Sequence, residues 1–149
     1  MVPLPNAKPA ERTQLPPFFG SSDALYIAQI ANQKTAQSLF AVITADASDA
    51  QRLLDEIQWF APQLRVRLLP DWETLPYDSF SPHHDLVSER LATLYSVTRG
   101  ECDILLIPAS TAAYRFTPPA YLAAYTFFLK KGEMLDAEAF RSQVTLAGY

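Results

Sequence analysis

A chain of 149 residues carrying a net charge of −4 and a pI near 5.1 has room for one domain, or one domain with part of another. Its single cysteine, Cys102, excludes an internal disulfide and a multi-cysteine zinc site, and suits a reducing compartment. No apolar run reaches the ~20 residues of a membrane span. The proline-rich start lacks the apolar centre of a signal peptide, so a soluble, cytoplasmic protein with no membrane partner is expected.

Residues 1–18 hold five prolines and predict an extended leader, packed at the surface or disordered. Gly20, Ser21, Ser22 and Asp23 then open a helix whose apolar positions 24, 27, 28 and 31 recur at helical spacing, with Ser22 or Asp23 as N-cap. Residues 40–44 are a short apolar run suited to a buried parallel strand. Ser48 and Gln51 resemble a capping box, opening a helix to about Phe60 with Ala50, Leu53, Leu54, Ile57 and Phe60 on one face. Leu64, Val66 and Leu68 alternate with Arg65 and Arg67, which suggests a strand with one face partly wet.

After a connection at 70–85, Val87, Leu91, Leu94, Tyr95 and Thr98 stripe a helix that ends near Gly100. Residues 103–108 form the strongest strand and belong at the sheet centre. Ser110 and Thr111 are candidate caps of a short helix to about Arg115. This alternation predicts an α/β fold with a parallel sheet and right-handed crossovers. Thr117, Pro118 and Pro119 interrupt it. The later half of residues 121–132 reads as a strand, and the last stretch as a helix with Leu135, Phe140, Val144 and Leu146 on its apolar face and Gly148 beyond its end. A lone strand and helix after a break have little to pack on, so the chain reads as ending inside a second unit.

The segment 69–90 concentrates the chemistry, with three prolines, Trp72, both histidines and five acidic residues between a strand and a helix. Ligands of α/β proteins bind at such connections. A phosphate-cradling loop, however, needs G-x-x-x-x-G-K-[ST]. The turn at Gly20, Ser21, Ser22 and Asp23 offers one glycine, no lysine, and a carboxylate that repels phosphate. The turn leaves room only for an anion sitting loosely on that helix N-terminus. No dinucleotide fingerprint exists among the four glycines.

His83 and His84 are adjacent, and no third metal ligand follows at a recognisable spacing. One of them could pair with Asp78 or Asp85 as a general base, although no nucleophile motif accompanies it. The plainer reading is a pair of hydrogen-bonded histidines near a helix start. Asp71, Glu73 and Asp78 could serve acid–base chemistry, but carboxylates in turns more often cap backbone N–H groups. Trp72 and Tyr77 suit anchoring of the connection to the core. The basic residues are scattered and the balance is acidic, which argues against direct DNA binding by this segment.

The run Asp71-Trp72-Glu73-Thr74-Leu75-Pro76-Tyr77-Asp78, then Ser81-Pro82-His83, then Ser88-Glu89-Arg90-Leu91 with Leu94 and Tyr95, closely resembles the bacterial transcription-repair coupling factors, the Mfd family. Leu106-Ile107-Pro108 with Thr111, Lys130-Lys131-Gly132 and Ala147-Gly148-Tyr149 extend the match from about residue 20 to the end. The resemblance implies the N-terminal UvrB-homology module, a RecA-like (P-loop-type) domain whose ATP site is lost. UvrB itself keeps a lysine in its phosphate loop and a long DNA-engaging hairpin near 70–85. Here the lysine is absent and that connection is short.

The resemblance further implies a second domain beginning near Tyr125 or Thr126 that binds UvrA, with its contact residues beyond Tyr149. It gives a leader at 1–18, a degenerate RecA-like domain at 19–124, and an incomplete UvrA-recruiting α+β domain at 125–149. No catalytic residue, metal or cofactor is assigned here. ATP and Mg, RNA polymerase and DNA would belong to other domains of the parent, an ATP-dependent translocase. The competing expectations are an enzyme with its site in the 70–85 loop and an ATP-binding UvrB-type helicase fragment.

Overall fold

Strand β3 (Ile104–Pro108) organises the molecule, because its alternate side chains enter two separate cores. In the computed structural model, which describes residues 12–33, 38–72, 83–125, 131–132 and 134–146, it lies between β1 (Phe40–Thr44) and β2 (Val66–Leu68). Both pairings are parallel, with Phe40 and Val66 each opposite Ile104. Burial of its four aliphatic side chains stabilises the fold by about 6–12 kcal/mol, at about 1.5–3 kcal/mol each. The central position follows from that apolar run, as the sequence predicts.

Ile104 and Leu106 face helices α1 (Ser22–Asn32) and α2 (Ala47–Phe60), packing with Ala24, Ala28, Leu53 and Ile57. Leu105 and Ile107 face the opposite way, joining Leu69 and Cys102 beneath Leu94 and Val97 of α3 (His84–Thr98). Helices therefore cover both faces, as a parallel sheet requires. The crossovers β1–α2–β2 and β2–α3–β3 move in opposite directions across the sheet. They share one hand only when their helices lie on opposite faces, which is the arrangement here.

Local signals differ from expectation at several helix ends. The N-cap of α2 is Asp46, whose carboxylate accepts from the Asp49 N–H at 2.8 Å, so the Ser48/Gln51 capping box does not form. Helix α1 begins at Ser22 after Ser21, with no side-chain cap, instead of being capped by Ser22 or Asp23. The end of α3 follows the rule: Gly100 takes φ +69°, its N–H bonds to the Val97 carbonyl, and Glu101 N–H reaches back to Ser96.

The stripe expected on α3 is also displaced. Arg90 and Thr93 are its buried residues, Leu94 and Val97 pack on the core, and Thr98 is exposed. The short helix after β3 is α4 (Ala109–Ala112), and its N-cap is Pro108 with no side-chain cap, so Ser110 and Thr111 have another role.

Pro118 and Pro119 do more than interrupt. Pro119 occupies the first position of α5 (Pro119–Tyr125), where its missing N–H costs nothing, and α5 packs on α3 with Leu122 buried. Helix α6 (Ala137–Leu146) starts after Asp136, whose carboxylate accepts from the N–H groups of Glu138 and Ala139. Residues 12–20 are irregular and exposed, although the Phe18 ring rests 5.1 Å from that of Tyr26. Of the strand expected in the later half of residues 121–132, residues 126–130 lie outside the described residues and Lys131 and Gly132 form a turn; the terminal Gly148 also lies outside them.

Candidate functional site at the carboxyl ends of β2 and β3

The chain leaves β2 through Leu69 and Pro70 and immediately presents Asp71 to the turn that follows β3. The Ser110 hydroxyl donates to Asp71 Oδ2 at 2.5 Å, and the Thr111 hydroxyl donates to Oδ1 at 3.0 Å. The Trp72 N–H adds a third bond to Oδ1 at 2.8 Å. Burial works against ionisation of this carboxyl, but the two hydroxyls, the Trp72 N–H and the charge of Arg90 outweigh it and hold Asp71 below its ordinary range. Asp71 is thus a carboxylate acceptor with three donors already bound.

Arg90 closes the same cluster from α3. Its side chain is only 3% exposed, its Nη1 donates to the Pro70 carbonyl, and its guanidinium lies 4.2 Å from the Trp72 ring centroid. Burial lowers its pKa, partly offset by the charge of Asp71. An arginine suits this position because it is planar, stacks on an aromatic face and stays charged when buried. Strand β2, strand β3 and α3 are therefore tied by one polar cluster that fixes where the 73–82 connection departs.

Sequence reasoning singled out Asp71, Trp72 and Arg90 individually. It missed Ser110 and Thr111 as their partners. The available signal was a pair of hydroxyl residues directly after the central strand, the usual place for a polar cluster in a parallel sheet. Glu73, Pro76, Tyr77, Asp78 and Pro82 lie outside the described residues, while Glu89 is exposed on α3.

His83 stands at the N-cap of α3, where its Nδ1 accepts from the Asp85 N–H at 3.3 Å. Its ring also approaches Asp85 Oδ2 at 3.4 Å, but both side chains lie in solvent. A general base needs its nitrogen lone pair free toward substrate; this one serves a backbone N–H. The described residues contain no cluster of histidine, cysteine, aspartate and glutamate fit for a metal.

The turn before α1 is closed by its own groups. Ser22 Oγ accepts from Phe19 N–H and donates to the Phe19 carbonyl, while the Ser22 N–H also bonds to that carbonyl. Asp23 Oδ1 accepts from the Ala24 N–H at 2.7 Å, and Asp23 pairs with Arg52 of α2 at 2.7 Å. The hydrogen bond from Arg52 is the main cause that lowers the Asp23 pKa, against an upward push from burial. Arg52 also holds Asp49 and Glu56. The start of α1 thus carries a carboxylate held in place by Arg52 and by the Ala24 N–H. Gly20 takes φ +56°, a conformation open to glycine, but the lysine and second glycine of a phosphate cradle are missing.

No family model matches the chain. It is 39% identical over 142 residues, 95% of its length, to the transcription-repair-coupling factor of Escherichia coli, and those residues make up 12% of that protein. It is 41% identical over 128 residues to the corresponding factor of Haemophilus influenzae, covering 86% of this chain and 11% of the relative. A factor from Rickettsia bellii is 28% identical over 86 residues. The chain thus spans about an eighth of the length of the curated relatives it matches. Over nearly its whole length, this chain is a relative of one short segment of the transcription-repair coupling factors.

Proposed function

We propose that this chain acts as a non-catalytic interaction module of a transcription-repair coupling factor. The observation that carries the reading is the 39% identity along 95% of the chain to a factor of which it represents 12%. The parallel sheet and the self-closed turn at Gly20–Asp23 support the finer statement that the module is a RecA-like, UvrB-related domain with a lost nucleotide site. In this reading residues 19–124 form that domain, residues 1–18 lead into it, and 125–149 begin a UvrA-recruiting domain. Translocation on DNA with ATP and Mg, and contact with RNA polymerase, belong to the rest of the parent protein in the cytoplasm.

Two measurements test this. Calorimetric titration of residues 1–149 with ATP is expected to give no heat of binding, and micromolar affinity would sink the non-catalytic reading. A version extended past Tyr149 through the next domain is expected to bind UvrA, while residues 1–149 bind weakly or not at all. Equal affinity of the two would move the interface into the present chain.

A further inference from the structure

Helix α2 turns Ala50, Leu53 and Ile57 to the core, and Trp59 stands on its opposite side, 79% exposed. Ser48, Arg52, Asp55 and Trp59 follow one another at helical steps, so they share one outward stripe. Folding buries large aromatic rings, so an indole at the pole of a polar helix face has no account in the packing of this chain. Its aromatic neighbour is Phe60, at 5.0 Å and 79°. Phe60 is itself packed on the core, so it steadies Trp59 while leaving most of the indole open.

Two other rings in the chain lie near carboxylates, and an arginine joins each. Arg90 lies 4.2 Å from the Trp72 centroid and feels the charge of Asp71. Arg99 lies 5.8 Å from the Tyr95 centroid and bonds to Glu101 at 3.0 Å. Trp59 has a similar companion, Asp55, one turn earlier on the same stripe. Among the described residues, however, no cation lies over the Trp59 ring or pairs with Asp55. Asp55 accepts from the Gln51 side-chain amide at 3.0 Å, a bond that leaves its charge unneutralised. Arg52 is already spent, since its guanidinium nitrogens bond to Asp23, Asp49 and Glu56. From Asp46 to Phe60 the chain sets four carboxylates against this one arginine, so the face attracts positive charge.

We infer that Trp59 and Asp55 receive an arginine side chain from a separate partner protein, carried in a segment of net positive charge. The guanidinium stacks on the indole, as Arg90 stacks on Trp72, and donates N–H groups to the Asp55 carboxylate. Arginine is favoured over lysine because one planar group meets the ring and the carboxylate together. The site is built from α2 alone and is independent of the coupling-factor reading.

Titration of residues 1–149 with a capped arginine-glycine-serine peptide, and with its lysine counterpart, tests this by NMR of the indole N–H groups and the α2 amides. The Trp59 indole signal is expected to move saturably while that of Trp72 stays in place. The lysine peptide is expected to bind at least about threefold more weakly. Trp59→Ala is expected to weaken arginine-peptide binding about tenfold and Asp55→Asn about threefold, with melting temperatures unchanged because both side chains are exposed. Equal binding of the two peptides, or titrations indifferent to Trp59→Ala, would reduce the effect to surface charge and overturn the proposal. A Trp59 signal that shifts with protein concentration alone gives the site to a second copy, which also overturns it. So does a Trp59 signal already displaced in the longer parent protein without peptide, which gives the site to the parent's own chain.

Discussion

The guanidinium of Arg90 stacks over Trp72 while donating to the carbonyl of Pro70, so one buried cation holds both the last residues after β2 and the first aromatic of the connection. Removing it leaves the Pro70 carbonyl and the Asp71 carboxylate without their compensating charge. Arg90→Ala is expected to cost about 2–4 kcal/mol in urea unfolding. Arg90→Lys keeps the charge but loses the planar stack, for a loss of about 1–2 kcal/mol. A loss under about 0.5 kcal/mol for Arg90→Ala would show that the stack is incidental.

Acid should weaken the fold in a defined window. Asp23, Asp71 and Asp103 all have lowered pKa values, for Asp103 chiefly through hydrogen bonds from the Arg65 side chain at 2.6 and 3.0 Å. A carboxyl with a depressed folded pKa contributes stability that is complete above its unfolded value, about 3.9, and is lost as pH falls through the folded value. Unfolding midpoints are expected to hold steady from pH 7 to about pH 5 and then to fall. Asp103→Asn should flatten part of that fall, and an unchanged slope would remove Asp103 from the account.

Cys102 should be inert in the folded chain. It is 6% exposed, its Sγ lies 3.1 Å from the Ile104 carbonyl oxygen, and burial pushes its pKa up to about 11. Because the thiolate is the reactive species, a thiol reagent at pH 8 is expected to modify it only on unfolding. Rapid stoichiometric labelling under native conditions would contradict the buried position.

The start of α2 offers a paired test. Asp46→Ala removes the observed cap and is expected to cost about 1 kcal/mol, whereas Ser48→Ala should stay within about 0.5 kcal/mol. Chemical denaturation of the two variants separates them, and the reverse order would restore the capping box.

The sheet was legible because β1 and β3 are short apolar runs and the β2 stretch alternates apolar residues with Arg65 and Arg67. Residues 104–107 have no polar side chain to bring to a surface, and their central position follows directly. The cap of α2 was not, because Asp46, Ser48 and Asp49 offer several oxygens within one turn and only backbone geometry selects among them. The inward face of α3 misled for another reason. Helical periodicity ranks residues by apolarity, so it chose Val87 and Leu91 and passed over Arg90, whose burial depends on Pro70 and Trp72 about twenty positions earlier. The partners of Asp71 stand 39 and 40 positions away, a separation that local pattern cannot see.

The central place of β3 also sets a timetable for synthesis. Both β1 and β2 pair with β3 alone among the described strands, and the β1–β3 register joins Phe40 to Ile104 across 64 positions (104 − 40). At a synthesis rate of about 5–20 residues per second, β1 waits roughly 3–13 s for its partner. During that interval an uncharged, aliphatic-rich strand stands unpaired on both sides in the nascent chain. Helices α1 and α2 can cover one of its faces early, so the hazard is confined to its edges until Pro108 has been added.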